Sequence, residues 1–304
     1  MLVLTAHHSQ TATAIPRQYV HKAAQSEVLL TGWQALADDS FLITAQWPRA
    51  HAYYAAAGGR HDPMLLAETV RQAVPLLSHL GYDVPFGHRQ IWDHLTWTAD
   101  PAALSCAPVP AEIEMHVRCS DVTRRAGRLA ALRMDIALTR DGAPLGTAHT
   151  RFTSQAPQVY TRMRGPYADL EQALARCVPL APPAPPRRAG RTRFADVVLS
   201  PSGTAHRFQL RVDLNHPVLF DHPVDHAPGM LLLEAARQAA HEVLHPRQVR
   251  ITGMESVFHR YVEFDAPCWI ESEVLGTGPG EATVVRVTAS QHGHEAFTAT
   301  VTAS

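Results

Sequence analysis

The sequence predicts an α+β protein made of two copies of one unit, each a long apolar helix wrapped by an antiparallel sheet. Three observations predict it. MLLAETVRQA at residues 64–73 recurs as MLLLEAARQA at 230–239, with seven identities in ten. Unrelated segments would share less than one, at about one chance in fifteen per position. After each copy come four β-type runs in the same order, and between the copies lies a proline-rich stretch.

In the first half an alternating run, FLITAQW (41–47), reads as a strand by its period of two. A loop containing histidines, 51–63, leads to the helix. Four strand-like runs follow at 89–97, 111–119, 128–138 and 144–152, with Asp141-Gly142 as a hairpin signal before the last. The second half repeats the plan. HRFQLRV (206–212) precedes a loop at 216–229, then the helix, then runs at 249–259, 268–274, 282–290 and 295–303, with His292-Gly293 at the turn. The expected division is a first repeat over 19–155, a linker over 156–195 and a second repeat over 196–304. PLAPPAPPRRAGRTR (179–193) holds five prolines in residues 179–186, which suit neither a helix nor a sheet interior. Leu170, Leu174 and Cys177 predict a short helix before it. The arginines at 187, 188, 191 and 193 are expected to be solvated, with docking of an acidic partner as the alternative.

Both helices are apolar nearly all round: Met64, Leu65, Leu66, Val70, Ala73, Val74, Leu76 and Leu77 in one, Met230 to Leu233 with Ala235, Ala236, Ala239 and Ala240 in the other. A helix with no polar side is wrapped on every face. One helix wrapped by four or five antiparallel strands is the hotdog arrangement, so the prediction is a double hotdog. Pro63 and Pro228 suit helix starts, and Pro75 should kink or end the first helix.

Composition narrows the function. The 304 residues carry 27 basic and 28 acidic side chains, a net charge of −1, which argues against nucleic acid or an anionic membrane as partner. At ~150 residues per domain the length suits two domains. Lys22 is the only lysine, a bias attributed to base composition. The four cysteines, Cys106, Cys119, Cys177 and Cys268, have no metal-type spacing and read as small buried apolar residues. No apolar run reaches the ~18 residues of a membrane span, and the start lacks a signal-peptide pattern. The expectation is a soluble, cytoplasmic protein with a mobile N-terminus of about 15 residues.

Against its apolar background each helix carries E-x-x-R-Q: Glu68, Arg71 and Gln72, then Glu234, Arg237 and Gln238. The i, i+3, i+4 spacing puts each triplet on one stripe. Either the pair fixes the register of the repeats, or it floors a cleft with a base and an anion binder, with two pseudo-symmetric sites of which one need be active. The loop NHPVLFDHPVDHAPG (215–229) places His216, His222 and His226 before a Pro-Gly helix start. There the N–H groups near Gly229 offer an oxyanion clamp, and His222 facing a carboxylate of the other repeat suits proton transfer. These histidines match no zinc pattern, so no metal is expected.

DHPVDHAPGMLLLEAARQAAH (221–241) resembles the active-site segment of hotdog acyl-thioester dehydratases. It departs from it in the spacing of His222 to Glu234, two residues short, and in lacking a glycine after the loop histidine. YVHKAAQSEVLLTGW (19–33), FLITAQWPRAHAYY (41–54), DPMLLAETVRQA (62–73) and the 221–241 block together resemble the A-factor biosynthesis family, over roughly residues 19 to 304. That resemblance implies two fused hotdogs and an acyltransferase; no cofactor is expected. The enzyme would move a β-ketoacyl group from acyl carrier protein to the hydroxyl of dihydroxyacetone phosphate, on the way to a γ-butyrolactone, butenolide or furan signal. It also implies functional roles for Glu68, Glu234 and Arg237, with Arg71 and Gln72 matched through the internal repeat. Glu68 or His222 is expected as base and Arg237 as the phosphate binder; Arg71, Gln72, Gln238, Gly229 and His226 complete the expected site. No serine or cysteine sits in a nucleophile elbow, which favours direct transfer. A hotdog thioesterase or dehydratase and a non-catalytic acyl-carrier or lipid-signal binder are the alternatives, and a homodimer is left open.

Overall fold

The computed structural model describes residues 14–276 and 282–304. Of the N-terminal stretch expected to be mobile, residues 1–13 lie outside the described residues. The first half contains β1 (Leu30–Ala37), β2 (Ser40–Trp47), α1 (Met64–Leu80), β3 (Arg89–Ala99), β4 (Ala111–Arg125), β5 (Arg128–Arg140) and β6 (Ala143–Gln155). Then come two short helices, α2 (Pro157–Arg164) and α3 (Leu170–Ala175). The second half is β7 (Leu199–Pro201), β8 (Arg207–Leu210), α4 (Gly229–Leu244), β9 (Ile251–Phe258), β10 (Trp269–Gly276), β11 (Thr283–Gln291) and β12 (His294–Ala303). Among the described residues each half therefore has two strands before its helix, where the alternation of residues indicated one. β1 and β7 lie at the two ends of the sheet, and only Leu30 of β1 is buried on the core side at its start. Such edge strands carry little apolar pattern. The short helix α2 was likewise not visible in the pattern.

All twelve strands form one antiparallel sheet in the order β1-β2-β4-β5-β6-β3-β9-β12-β11-β10-β8-β7. Read from each outer edge to the centre, the two halves have the same order, and they join where β3 pairs with β9, His94 opposite Val257 through Thr98 opposite Gly253. β4 alternates without a break from Ala111 to Cys119, odd positions buried and even ones exposed, as a strand with one wet face requires. The hairpin turns Asp141-Gly142 and His292-Gly293 both have two consecutive positive φ values, 51° and 77° against 52° and 76°, so His292 occupies a left-handed position usually filled by Asn, Asp or Gly.

The sheet curls around both helices. Of 17 residues in α1, 15 are buried, and of 16 in α4, 13; Leu65, Leu66, Leu231 and Leu233 are buried in the one hydrophobic core that the helices share with the strands. Pro75 does not end α1, which continues to Leu80. Two of the four cysteines, Cys119 and Cys268, are buried as expected; Cys106 is exposed and Cys177 half-buried, and all four are free thiols. No helix among the described residues is long and apolar enough to cross a membrane.

Gly146 of β6 lies where the sheet meets α1. A Cβ there would stand 2.1 Å from the Thr98 carbonyl oxygen and 3.1 Å from Leu66 Cδ1. Gly146→Ala is expected to destabilise the protein by about 1–3 kcal/mol through overpacking, read as a lowered urea midpoint at unchanged slope.

Candidate active site

The helix triplets are buried ion clusters built alike. In α1, Arg71 Nε donates to both Glu68 oxygens at 3.0 and 3.1 Å, and the Lys22 Nζ stands 3.0 Å from Glu68 Oε1. Gln72 donates to Glu68 Oε1 at 2.8 Å and to the Glu27 carbonyl, while accepting the Leu29 N–H. In α4, Arg237 Nε and Nη2 grip Glu234 at 2.9 Å each, and Arg191 adds an Nε hydrogen bond of 2.9 Å and an Nη2 ion-pair contact of 2.7 Å. Gln238 donates to Glu234 Oε1 and the Asp196 carbonyl and accepts the Val198 N–H. Lys22, Glu27 and Leu29 thus stand at the spacing of Arg191, Asp196 and Val198. Burial alone would raise both glutamates, but the cations prevail: Arg71 and Lys22 hold Glu68 down to about 2, and Arg191 and Arg237 do the same for Glu234.

The expectation of four solvated linker arginines fails at Arg191. Its side chain is only 5% exposed, and it donates to Tyr53 O at 2.7 Å, stands 3.3 Å from Asp62 Oδ2 and covers the Tyr53 ring at 4.1 Å. A guanidinium among two carboxylates and an aromatic face repays its desolvation better than it would in water.

Among the described residues only the first cluster opens on space. A cleft of about 340 Å³ is lined by His21, Lys22, Glu68 and Arg71 from the first repeat, and by Asp221, His222, Asp225, His226 and Gly229 from the second. The structure thus brings together Glu68, Arg71, His222, His226 and Gly229, with Gln72 behind Glu68. It does not bring Glu234, Arg237 or Gln238 to the cleft. Arg237 is 5% exposed, its Nη2 directed at the carbonyls of Ala189 and Gly190, which corrects the expectation that it meets a phosphate there. The linker, with Arg191, occupies the space, and His241 helps to fill it: a Cβ on Gly190 would lie 2.7 Å from that ring. At the position of His241 in the repeat, α1 has Pro75, which lines the open cleft. Met230 also lines the cleft, whereas Met64, Leu66 and Leu233 are plain core.

The loop preceding α4 carries two Asp–His pairs. His222 Nδ1 stands 3.4 Å from Asp221 Oδ2, and Asp221 in turn accepts the N–H groups of Ala23 at 2.5 Å and Ala24 at 3.2 Å, tying the loop to the other repeat. Burial, and to a lesser degree Arg71 and Lys22, lower the His222 pKa against the opposing effect of Asp221, so its imidazole is neutral near pH 7. His226 Nδ1 lies 2.7 Å from Asp225 Oδ1, and Asp225 accepts from Tyr160 of α2. His216 is different. Its Nδ1 accepts the Val218 and Leu219 N–H groups, as His51 does for Tyr53 and Tyr54, so both clamp their loops.

The helix starts differ too. Asp62 Oδ1 caps the Met64 N–H of α1 at 2.9 Å, whereas no side chain caps α4 after Pro228. Free N–H groups at an uncapped helix start attract a developing negative charge. A Cβ on Gly229 would meet Trp92 at 2.9 Å, so this start packs on β3 only as glycine. Lys22, Arg71, Arg89 and Arg260 face Glu68, Asp221 and Asp225 around the cleft, four cations to three carboxylates. Neither Arg89 nor Arg260 has a carboxylate partner among the described residues. Sequence reasoning missed Lys22, Arg89, Asp221 and Tyr160; the available signal was that Lys22 and Arg191 each precede an acidic residue by five positions. Among the described residues no group of three metal-ligating side chains is close enough to hold an ion.

This architecture defines a two-repeat hotdog protein with one open inter-repeat cleft. Solved structures of the same fold include the 12:0-ACP thioesterase from Umbellularia californica, 11% identical with a TM-score of 0.51, covering 86% of this chain and 94% of that one. An acyl-ACP thioesterase from Bacteroides thetaiotaomicron is 13% identical, with a TM-score of 0.50, covering 86% and 98%. The A-factor biosynthesis hotdog domain matches residues 3–155 and 173–304, and the chain belongs to that family. Two curated relatives are both named 2-oxo-3-(phosphooxy)propyl 3-oxoalkanoate synthase. The one from Streptomyces virginiae is 44% identical over 92% of this chain and 94% of its own length; the one from Streptomyces coelicolor is 43% identical over 96% and 92%.

Two outcomes test the site. Arg191→Met leaves Glu234 with Arg237 alone and should cost about 3–5 kcal/mol of stability, measured by chemical denaturation. Acid lability is the second. His21 and His241 are held down to about 3 by burial, from 6.5, so their neutral forms stabilise the fold above pH 6.5 and that contribution is lost as pH falls towards 3. Glu68 and Glu234 contribute above pH 4.5 and lose it towards pH 2. The melting temperature should therefore fall steadily from pH 6.5 downwards; a flat profile between pH 7 and 4 would contradict this account.

Proposed function

We propose that the chain joins a 3-oxoacyl group, delivered as an acyl carrier protein thioester, to the hydroxyl of dihydroxyacetone phosphate, the first step towards a butenolide-type signal. The relatives' name describes an ester of these two parts. The observation that carries the reading is the meeting, in one cleft, of a neutral histidine backed by Asp221, an uncapped helix start, and an excess of cations.

His222 acts as the base. Glu68 is unsuited to that role, because a carboxylate held down to about 2 has little affinity for a proton at pH 7; it orients Arg71 and Lys22 instead. With Nδ1–H donated to Asp221, His222 Nε2 takes the hydroxyl proton as the oxygen attacks the thioester carbon. The oxyanion forms at the Gly229 and Met230 N–H groups. As the intermediate collapses, the C–S bond breaks and His222 returns the proton to the departing thiolate, so C–O replaces C–S with no net change in protons. Arg71 and Arg89 meet the phosphate, for which two-pronged guanidinium donors are suited. Trp92, Leu232 and Phe258 line the apolar part for the acyl chain.

Purified protein, a 3-oxoacyl carrier protein thioester and dihydroxyacetone phosphate should yield the phosphorylated ester by mass spectrometry; free acid alone would make the protein a thioesterase. His222→Ala should lower ester formation about 10²–10⁴-fold while leaving the melting temperature unchanged. An unaltered rate would remove His222 from the mechanism.

A further inference from the structure

Of the residues that line the cleft, only Arg89, His259 and Arg260 are exposed, so they mark its mouth. The chain around that mouth is one-sided in charge. Three segments border it, 85–92, 156–168 and 257–262, and none contains an aspartate or a glutamate, although the whole chain has 28 acidic residues and a net charge of −1.

Helix α2 joins these segments. The Arg89 guanidinium covers the Tyr160 ring at 5.5 Å, Tyr160 meets Tyr261 edge to face at 6.3 Å between centroids, and Arg164 stands over the Tyr261 ring at 4.0 Å. Tyr160 and Arg164, one turn apart, form the buried face of α2, and Arg164 is satisfied by Glu263 and the Asp225 carbonyl. The outer face is bare. Val159 and Met163, also one turn apart, are 40% and 51% exposed, and the exposed Arg162 lies beside Met163. Among the described residues neither Arg162 nor Arg260 has a carboxylate partner. A single exposed apolar side chain means little; an apolar pair edged by unpaired cations, at the mouth of a reactive cleft, suits an acidic protein surface with an apolar centre.

We propose that the outer face of α2, with Val159, Arg162, Met163 and the neighbouring Arg260, docks an acidic face of the carrier protein that delivers the acyl thioester. The inference rests on the acyl-transfer reading. A thioester held on a protein reaches Gly229 only through the mouth, so its carrier has to sit on the rim. The arginines steer the encounter, and Met163 with Val159 supplies the desolvated anchor. Arg89, assigned above to the phosphate of the acceptor, is left out of this surface.

The experiment compares two donors of the same 3-oxoacyl group, one on acyl carrier protein and one on N-acetylcysteamine, with dihydroxyacetone phosphate as acceptor. It uses wild type, Arg162→Glu and Met163→Glu, whose positions on the exposed face of α2 should leave the melting temperature unchanged. Each substitution should raise KM for the carrier-bound donor about five- to tenfold at unchanged kcat, and leave KM for the small thioester as in wild type. Added salt should raise the wild-type KM for the carrier-bound donor alone. An unaltered KM for the carrier-bound donor, or an equal rise for both donors, would overturn the assignment with the transferase reading intact. Titrating the carrier onto the protein separates the two readings: binding that Arg162→Glu weakens, with no ester formed by wild type, would overturn the transferase reading and leave the docking surface standing. Neither binding nor ester would overturn both.

Discussion

A carboxylate in the second turn of an almost wholly buried helix is the constraint on which the rest of this structure depends. Glu68 is 2% exposed and Glu234 is fully buried, and an unpaired charge there would not be tolerated. Each therefore draws in an arginine one turn along its own helix and a cation from a chain segment far from it in sequence, Lys22 or Arg191. Those segments also bond the glutamine of the triplet through Glu27 and Leu29, or Asp196 and Val198. The ion cluster thus anchors the start of each repeat to its helix, while the sheet closes round both.

From that shared plan the two inter-repeat spaces diverge through a few substitutions. In one, Arg191 bridges Glu234 and Asp62 and His241 occupies the remaining volume, so charges balance two against two and the space closes. In the other, Lys22 replaces the larger guanidinium, Pro75 stands in place of the imidazole, and α4 begins without a cap. The open side gathers surplus cations, two Asp–His pairs and an unsatisfied helix start. The fold thus has a strut in one half and an open cleft in the other, made from the same helix motif.

Much of this was legible in the chain. The repeated helix, the run of strands after it and the paired turns at Asp141 and His292 follow from periods of 2 and 3.6 that burial imposes locally. The edge strands β1 and β7 and the short α2 were not legible, since elements with little buried face leave little pattern. Glu68, Arg71 and His222 were legible as chemistry because charged and titratable groups in apolar surroundings are costly. Arg191 was misread as a solvated linker residue for the converse reason: its flanks are polar and proline-rich, and only its distant partners make burial favourable.

By itself the sequence determined the double-hotdog plan, the two E-x-x-R-Q stripes and the histidine loop, all of which depend on residues within a few turns of one another. Which stripe opens on a cleft, which histidine has an aspartate bound to the opposite repeat, and which arginine is free to meet a ligand were decided by the tertiary structure alone. The reason is that Glu68 comes to share a cleft with His222, and Arg191 meets Asp62, only through the packing of one repeat on the other. Such contacts are set by the volumes of Gly190, Pro75 and His241 rather than by any local pattern.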